Sequence, residues 1–316
     1  MFGFFERSWD PAAKHCYVTG GSQGLGLALA LDLVKRGAHV SIIARNQARL
    51  DAALEVLEEA RLDKTQQIHA YSFSLATFEE SKAALDAACA VHGGRVPDAL
   101  FFCAGASTPR FFVETSPEQL EQTFVDGYWV QAWSALAAAK MLAKQRAKGV
   151  KIVFVASTLA YMSFVGYSSY APAKTALRAL ADSLRSELML YDADVHLFCP
   201  PTMRTAGYER ENLTKPAITL AIEETDEGIS PEDGARAILS GIRSGQAHIA
   251  ADFLTHLFRA STRGSTPYNN PIVDAVLGCI AWIAVPVWRR SVDARVRKHR
   301  EDHERYLQTQ GFYDAD

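Results

Sequence analysis

His15-Cys-Tyr-Val-Thr-Gly-Gly-Ser-Gln-Gly-Leu-Gly26 is the stretch on which the fold turns. An apolar run over 15–19 passes directly into glycines at 20, 24 and 26, and an apolar helical pattern from Leu27 to Val34 follows. Strand, glycine turn and helix in that order permit a tight turn, close approach of backbone to a pyrophosphate, and close packing of helix on strand. The phosphates then sit at the helix N-terminus. A glycine motif alone also occurs in plain turns; the strand before it and the helix after it are the context that favours a dinucleotide. Ser22, Gln23 and Leu25 complete the loop, and with Gly20, Gly24 and Gly26 they are candidate cofactor contacts.

The same alternation continues outward from this corner. Apolar runs at 15–19, 38–44, 67–73, 98–104, 151–157, 195–200 and 247–252 read as strands, and stretches beginning near Gly24, Gln47, Thr77, Pro117, Tyr128, Ser168 and Pro231 read as helices. Continuous apolar strands alternating with helices predict a parallel sheet covered on both faces. Ser116-Pro117 and Ser230-Pro231 each set an N-cap before a proline at the first helical position. No repeat, low-complexity tract or linker divides the 316 residues, which read as one domain followed by a tail.

The second strand, Val40-Ser-Ile-Ile-Ala-Arg45, ends where an NAD-specific domain offers a carboxylate to the ribose 2′-hydroxyl. Here the residue is Arg45, with Arg49 four positions on, so positive charge faces the place of a 2′-phosphate and NADPH is expected. The alternative is a solvated arginine at a strand end. The formal net charge of −3 gives no overall nucleic-acid footprint, and no nucleic-acid partner is expected. Cys16, Cys89, Cys103, Cys199 and Cys279 are odd in number and scattered without a CxxC pair. They argue against a disulfide framework or a metal site and read as reduced, mostly buried thiols. The N-terminal segment, 1–13, is apolar only from Met1 to Phe5 before Glu6 intervenes. That is too short for a signal peptide and lacks its basic start; a small membrane-touching or core-packing segment is the expectation.

Tyr170-Ala-Pro-Ala-Lys174 places a phenol and an ammonium one helical turn apart on one face. Tyr170 would donate a proton to a carbonyl if Lys174 lowered its pKa from about 10. Alone, such a pair is also what a half-buried tyrosine and a solvated lysine look like. Ser157, closing the run Lys151-Ile-Val-Phe-Val-Ala-Ser157, gives the pair a partner, and the glycine loop gives it a cofactor.

Together these pieces resemble the short-chain dehydrogenase/reductase family over residues 14–255. Its TGxxxGxG loop matches Thr19 to Gly26, its NAG motif stands as Cys103-Ala104-Gly105 with cysteine for asparagine, its serine matches Ser157, and its YxxxK matches Tyr170 to Lys174. The resemblance implies an α/β, Rossmann-type doubly wound parallel sheet. It implies hydride transfer from a nicotinamide to a ketone carbon, with Ser157 hydrogen-bonding the oxygen, Tyr170 protonating it, and Lys174 binding the nicotinamide ribose. Further cofactor contacts are implied at Ser74 and Leu75, where an aspartate commonly meets adenine, and at Ala104, Gly105, Tyr170, Lys174, Pro200 and Thr202. A relay asparagine common in the family is replaced at what reads as Gly127, with Asp126 or water to substitute. Ile43-Ala-Arg45, the doubled proline of Cys199-Pro-Pro-Thr202, and Thr205 to Asn212 resemble a branch that reduces a long-chain keto-lipid. Another lipid, steroid or retinoid ketone is the alternative, and a non-catalytic NADPH-binding protein a third reading. A substrate loop is expected over 202–227, with Lys215 to Ile222 either covering an alkyl chain or packing against their own domain. Pairing through Trp129–Met141 and Ser168–Leu190 into a homodimer or homotetramer follows by analogy.

The tail, 256–316, contains Ala275 to Trp288, fourteen residues without a charge. As a helix these span about 21 Å at ~1.5 Å per residue, against a hydrocarbon core of ~30 Å. Extension to Ile272 brings in Asp274, at up to roughly 3 kcal/mol if centrally placed. Arg289, Arg290, Arg295, Arg297, Lys298 and Arg300 follow, with Asp293 the one acid among them. A Trp-flanked apolar helix followed by arginines, over 272–300, fits an interfacial or re-entrant anchor on anionic headgroups, kinked at Pro286. Its rival is a helix buried between subunits. The expected location is the endoplasmic reticulum membrane, with the catalytic domain facing the cytosol.

Overall fold

A computed structural model describes residues 9–224 and 226–310; the apolar opening of the sequence, 1–8, lies outside them. In chain order the elements are β1 (His15–Thr19), α1 (Gly24–Lys35), β2 (His39–Ala44), α2 (Gln47–Glu59), β3 (Ile68–Ser72), α3 (Phe78–Ala90) and β4 (Ala99–Phe102). Then come α4 (Pro117–Phe124), α5 (Val130–Gln145), β5 (Lys151–Val155), α6 (Tyr170–Glu187), β6 (Asp194–Cys199), α7 (Ala206–Asn212) and α8 (Ala217–Glu223). The chain closes with α9 (Pro231–Arg243), β7 (His248–Ala250), α10 (Phe253–Ser261), α11 (Pro271–Lys298) and α12 (Arg300–Thr309).

All seven strands are parallel, in the order β3-β2-β1-β4-β5-β6-β7. Successive side chains leave a strand on opposite faces, and the core divides accordingly. Phe102 and Phe154 join the layer that contains Leu142 and Leu177, whereas Phe101 and Val153 join the one that contains Leu33 and Ile238. The chain winds outward from β1 through β3, then crosses back to β4 on the other side of β1. That reversal opens a crevice beyond the carboxyl ends of β1 and β4, where Thr19 is in register with both Ile43 and Phe102.

The two expected proline-led helices form, capped by Ser116 and Ser230, whose side chains accept from the Gln119 and Asp233 amides. The helix expected near Tyr128 is α5, from Val130, and α4 runs into it through a π-helical turn, Val125–Trp129.

The tail folds back on the domain. The helix α11 is 28 residues long, twice its uncharged run, and continues through Pro286. It is long and apolar enough to cross a membrane by length and composition. Yet Leu277 and Ala281 pack on Leu257 of α10, and the Trp288 ring meets Phe258 edge-on at 5.1 Å. Arg289 donates to the Ser163 carbonyl, and Arg295 Nη1 to that of Ala221 at 3.1 Å. Asp274 enters no apolar surface: it is buried, ion-paired with the equally buried Arg259 and accepting from the Asn269 amide at 3.0 Å. The outer face, with Ile272, Trp282 and Ile283, stays exposed.

Candidate active site

The crevice holds a cavity of about 340 Å³ shaped by the glycine loop. Gly20 turns with φ +67, and a Cβ there would lie 2.9 Å from the Ala104 amide; one on Gly26 would lie 2.3 Å from the Gly20 carbonyl oxygen. Backbone therefore fills the space a side chain would take, leaving a cradle at the N-terminus of α1 that fits a pyrophosphate. The predicted loop contacts Gly20, Ser22, Gln23, Gly24, Leu25 and Gly26 all line it, as do Arg45 and Arg49, Ser74 and Leu75, and Ala104 and Gly105. Arg49 Nη1 donates to Gln23 Oε1 at 3.0 Å, so one arginine braces the loop while Arg45 makes no such contact among the described residues. The Ser74 hydroxyl is committed to Glu80 Oε2 at 2.9 Å.

A second cavity, about 510 Å³, adjoins the first through Gln23, Cys103 and Gly105 and is lined by Ser157, Tyr170, Lys174, Pro200 and Thr202. Ser157 follows β5 and caps a short 3-10 turn, its Oγ accepting from the Leu159 amide. Tyr170 is the first residue of α6 and Lys174 stands one turn on. Lys174 is 3 % exposed, not solvated, and its Nζ donates to the Val155 carbonyl at 3.1 Å, 5.6 Å from the Tyr170 ring centroid. Burial draws its pKa down to about 8, against the opposing pull of Cys199 and Cys103. The phenol moves the other way from the sequence expectation: burial, then the charges of Glu211 and Cys199, push Tyr170 above its ordinary value. It is held protonated, the form a proton donor requires.

Gly127 is buried, and a Cβ on it would stand 2.8 Å from that of Ala173 on α6. The two elements cross too closely there for any relay side chain. Instead the Asp126 carbonyl and Lys174 Nζ converge on Gly105, lying 3.1 Å and 3.6 Å from where its Cβ would be. The Asp126 carboxylate accepts from Gln122 at 3.1 Å.

Sequence reasoning missed Gln131, a buried polar residue in the first turn of α5. Its amide donates to the carbonyls of Val155 and Ala104 at 2.8 Å and 3.2 Å and accepts from the Val155 amide at 3.1 Å. It pins together the ends of β4 and β5 beside Cys103, whose thiol burial pushes up to about 12. Within the expected substrate loop Lys215 is turned between Glu211 and Glu223, Ile218 is buried, and Leu213 and Leu220 stay exposed.

A glycine-cradled dinucleotide crevice opening onto Ser157, Tyr170 and Lys174 defines a nicotinamide-dependent oxidoreductase. The sequence pattern of the short chain dehydrogenase family matches residues 14–215, and the chain belongs to that family. Among curated relatives it is 43 % identical over 310 residues to 3-ketodihydrosphingosine reductase of Cryptococcus neoformans, covering 98 % of this chain and 92 % of the relative. The corresponding protein of Dictyostelium discoideum is 32 % identical over 295 residues, covering 90 % and 88 %. A Schizosaccharomyces pombe PIGF/3-ketodihydrosphingosine reductase fusion protein is 35 % identical over 301 residues, covering 94 % and 60 %. Of solved structures, a short chain dehydrogenase/reductase from Burkholderia phymatum in complex with NAD shares the fold at a TM-score of 0.69 and 20 % identity, over 81 % of this chain and 93 % of that one.

Proposed function

We propose that this protein reduces 3-ketodihydrosphingosine to dihydrosphingosine with NADPH. The observation that carries the proposal is the 43 % identity, over 98 % of the chain, with a protein of that name, joined to a complete donor set in one cavity. When bound, the nicotinamide supplies the hydride. Ser157 donates a hydrogen bond to the ketone oxygen, and the protonated Tyr170 gives that oxygen its proton. Lys174, titrating near 8 because it is buried, returns a proton to the phenolate and holds the ribose. Arg45 and Arg49 line the cofactor cavity with no carboxylate at the end of β2, which supports a 2′-phosphate and hence NADPH over NADH.

Residues 14–255 form the catalytic unit in this reading and 256–316 the tail. The exposed apolar face of α11 and its following arginines support seating on the endoplasmic reticulum membrane from the cytosolic side, by lying in the interface rather than spanning it. Contacts with the domain from Arg289 and Arg295 favour the flat arrangement. An apolar groove between α5 and α6, with Trp129 stacked on Trp133 and Leu136 beside them, supports a homodimer or homotetramer. The test is NADPH oxidation with 3-ketodihydrosphingosine. Tyr170→Phe is expected to lower kcat by about 10²- to 10⁴-fold while still binding NADPH; a variant as active as the parent overturns the mechanism.

A further inference from the structure

The cavity contains a charge arrangement that reduction of a ketone does not use. Glu211 on α7 and Glu223 on α8 flank Lys215, whose side chain is 1 % exposed, with Nζ 2.6 Å from Glu223 Oε2 and 3.3 Å from Glu211 Oε1. The Tyr167 hydroxyl is shared between Glu223 Oε1 at 2.7 Å and Glu211 Oε1 at 2.8 Å. Both oxygens of Glu223 are thereby engaged. Glu211 is held by Oε1 alone, and among the described residues none hydrogen-bonds its Oε2. One lysine answers two carboxylates, so the group keeps surplus negative charge.

The acids do not stand alone, for Glu211 and Glu223 close one wall of the cavity that contains Ser157 and Tyr170, where the ketone must bind. The Tyr167 ring lies 6.1 Å from that of Tyr170, and Glu211 is the carboxylate whose charge acts on the Tyr170 phenol. A partly buried anion with one unclaimed oxygen, set beside a carbonyl site, is matched by a cation on the ligand.

We propose that Glu211 Oε2 receives a protonated amine borne on the carbon next to the ketone, so that the cavity selects α-amino ketones over uncharged ones. The inference rests on the proposed function, because 3-ketodihydrosphingosine carries its amine on that carbon. With the ketone oxygen at Ser157 and Tyr170, the amine on the adjacent carbon stays inside the same cavity, whose wall includes Glu211. Tyr167 and Lys215 fix the Glu211 carboxylate there by its other oxygen. No bond forms at the amine; the contact orients the ketone.

The test compares two substrates on the full chain with NADPH in detergent micelles: 3-ketodihydrosphingosine, and the same molecule with a hydroxyl in place of the amine. Glu211→Gln, which keeps shape and loses charge, is expected to lower kcat/KM for the amino ketone about 10- to 100-fold, chiefly through KM. The KM of the hydroxy ketone should change by less than about 3-fold, while a change in kcat common to both substrates reflects loss of the Glu211 charge beside the Tyr170 phenol. An equal rise in KM on both substrates, or none on the amino ketone, overturns the proposal. Glu223→Gln, whose oxygens are both occupied, is expected to lower both substrates alike; a loss confined to the amino ketone would move the contact to Glu223 and overturn the assignment. Should Glu211→Gln fail to bind NADPH, the parent decides: dihydrosphingosine must inhibit at least about 10-fold more strongly than its hydroxyl counterpart, and equal inhibition overturns the proposal. A parent active on a lipid ketone without an amine, yet inactive on 3-ketodihydrosphingosine, sinks the proposed function itself. A parent active on 3-ketodihydrosphingosine but indifferent to its amine sinks only this inference.

Discussion

Arg45 and Arg49 looked alike in the sequence, four residues apart at the end of one strand, yet they do different work. Arg49 is bound to Gln23, while Arg45 lines the cavity uncommitted. Arg45→Ala is therefore expected to lower kcat/KM for NADPH by about 10- to 100-fold and leave NADH within a few-fold, read from paired steady-state assays. Residues whose partners lie close in sequence were legible: Ser116, Ser230, and the pair Tyr170 and Lys174. Residues defined by distant partners were not. Gln131 meets Val155 from 24 positions away, and the link between Tyr167 and Glu211 spans 44; neither leaves a periodic trace. His15 is another such residue. It is buried, hydrogen-bonded to Ser41 and stacked on His92 at 3.7 Å, and burial, then the positive charges of His92, His39, His69 and Arg95, draw it down to about 3. The unfolded chain takes a proton near pH 6.5 that the folded one refuses, so its stabilisation is complete above 6.5 and is lost as pH falls from there toward 3. Between pH 6.5 and 5 the loss from this group is about 2 kcal/mol. Denaturant unfolding at pH 7.5 and 5 should show a fall that shrinks by that amount in His15→Gln.

At the scale of elements, the strands were readable because a parallel sheet buries both faces and leaves uninterrupted apolar runs; β1 matches its predicted span and the others depart from theirs by no more than two residues at either end. The join between α4 and α5 was not, since Val125-Asp-Gly-Tyr-Trp129 carries no signal for an inserted residue in a helix. The length of α11 was also missed. Charge marks the end of an apolar surface, not of a helix, and Arg289 to Lys298 continue the helix while tethering it to the domain. Arg259 and Asp274 join α10 to α11 with both side chains 2 % exposed. Arg259→Met alone is expected to cost about 3–5 kcal/mol, because it strands a buried carboxylate. The double variant Arg259→Met with Asp274→Leu should recover most of that loss in denaturant titrations, and equal stability of single and double variants would count against a coupled pair. For the same reason deletion of 271–316 is a poor probe of membrane binding, as it also strips Asp274 from Arg259 and Trp288 from Phe258.

For the whole molecule, outward-facing substitutions ask that question more cleanly. Trp282 is 82 % and Ile283 64 % exposed, so Trp282→Ser with Ile283→Ser is expected to release most of the protein from sedimenting anionic vesicles while Tm moves by no more than a degree or two. Unchanged sedimentation would direct attention to an interface between subunits instead. The sheet's strand order has a consequence for manufacture as well. Helix α10 begins three residues after the end of β7, the last strand of the sheet in chain order, and α10 supplies both Arg259 and Leu257, the seat of α11. That seat follows β7 in the chain, so its position depends on where β7 is held beside β6. Until α10 is in place, the face of this 28-residue helix that carries Leu277 and Ala281 lacks its packing partner and stays open to chaperones and to stray bilayers. A chain whose sheet stays incomplete thus exposes an apolar face of α11 that the finished fold covers.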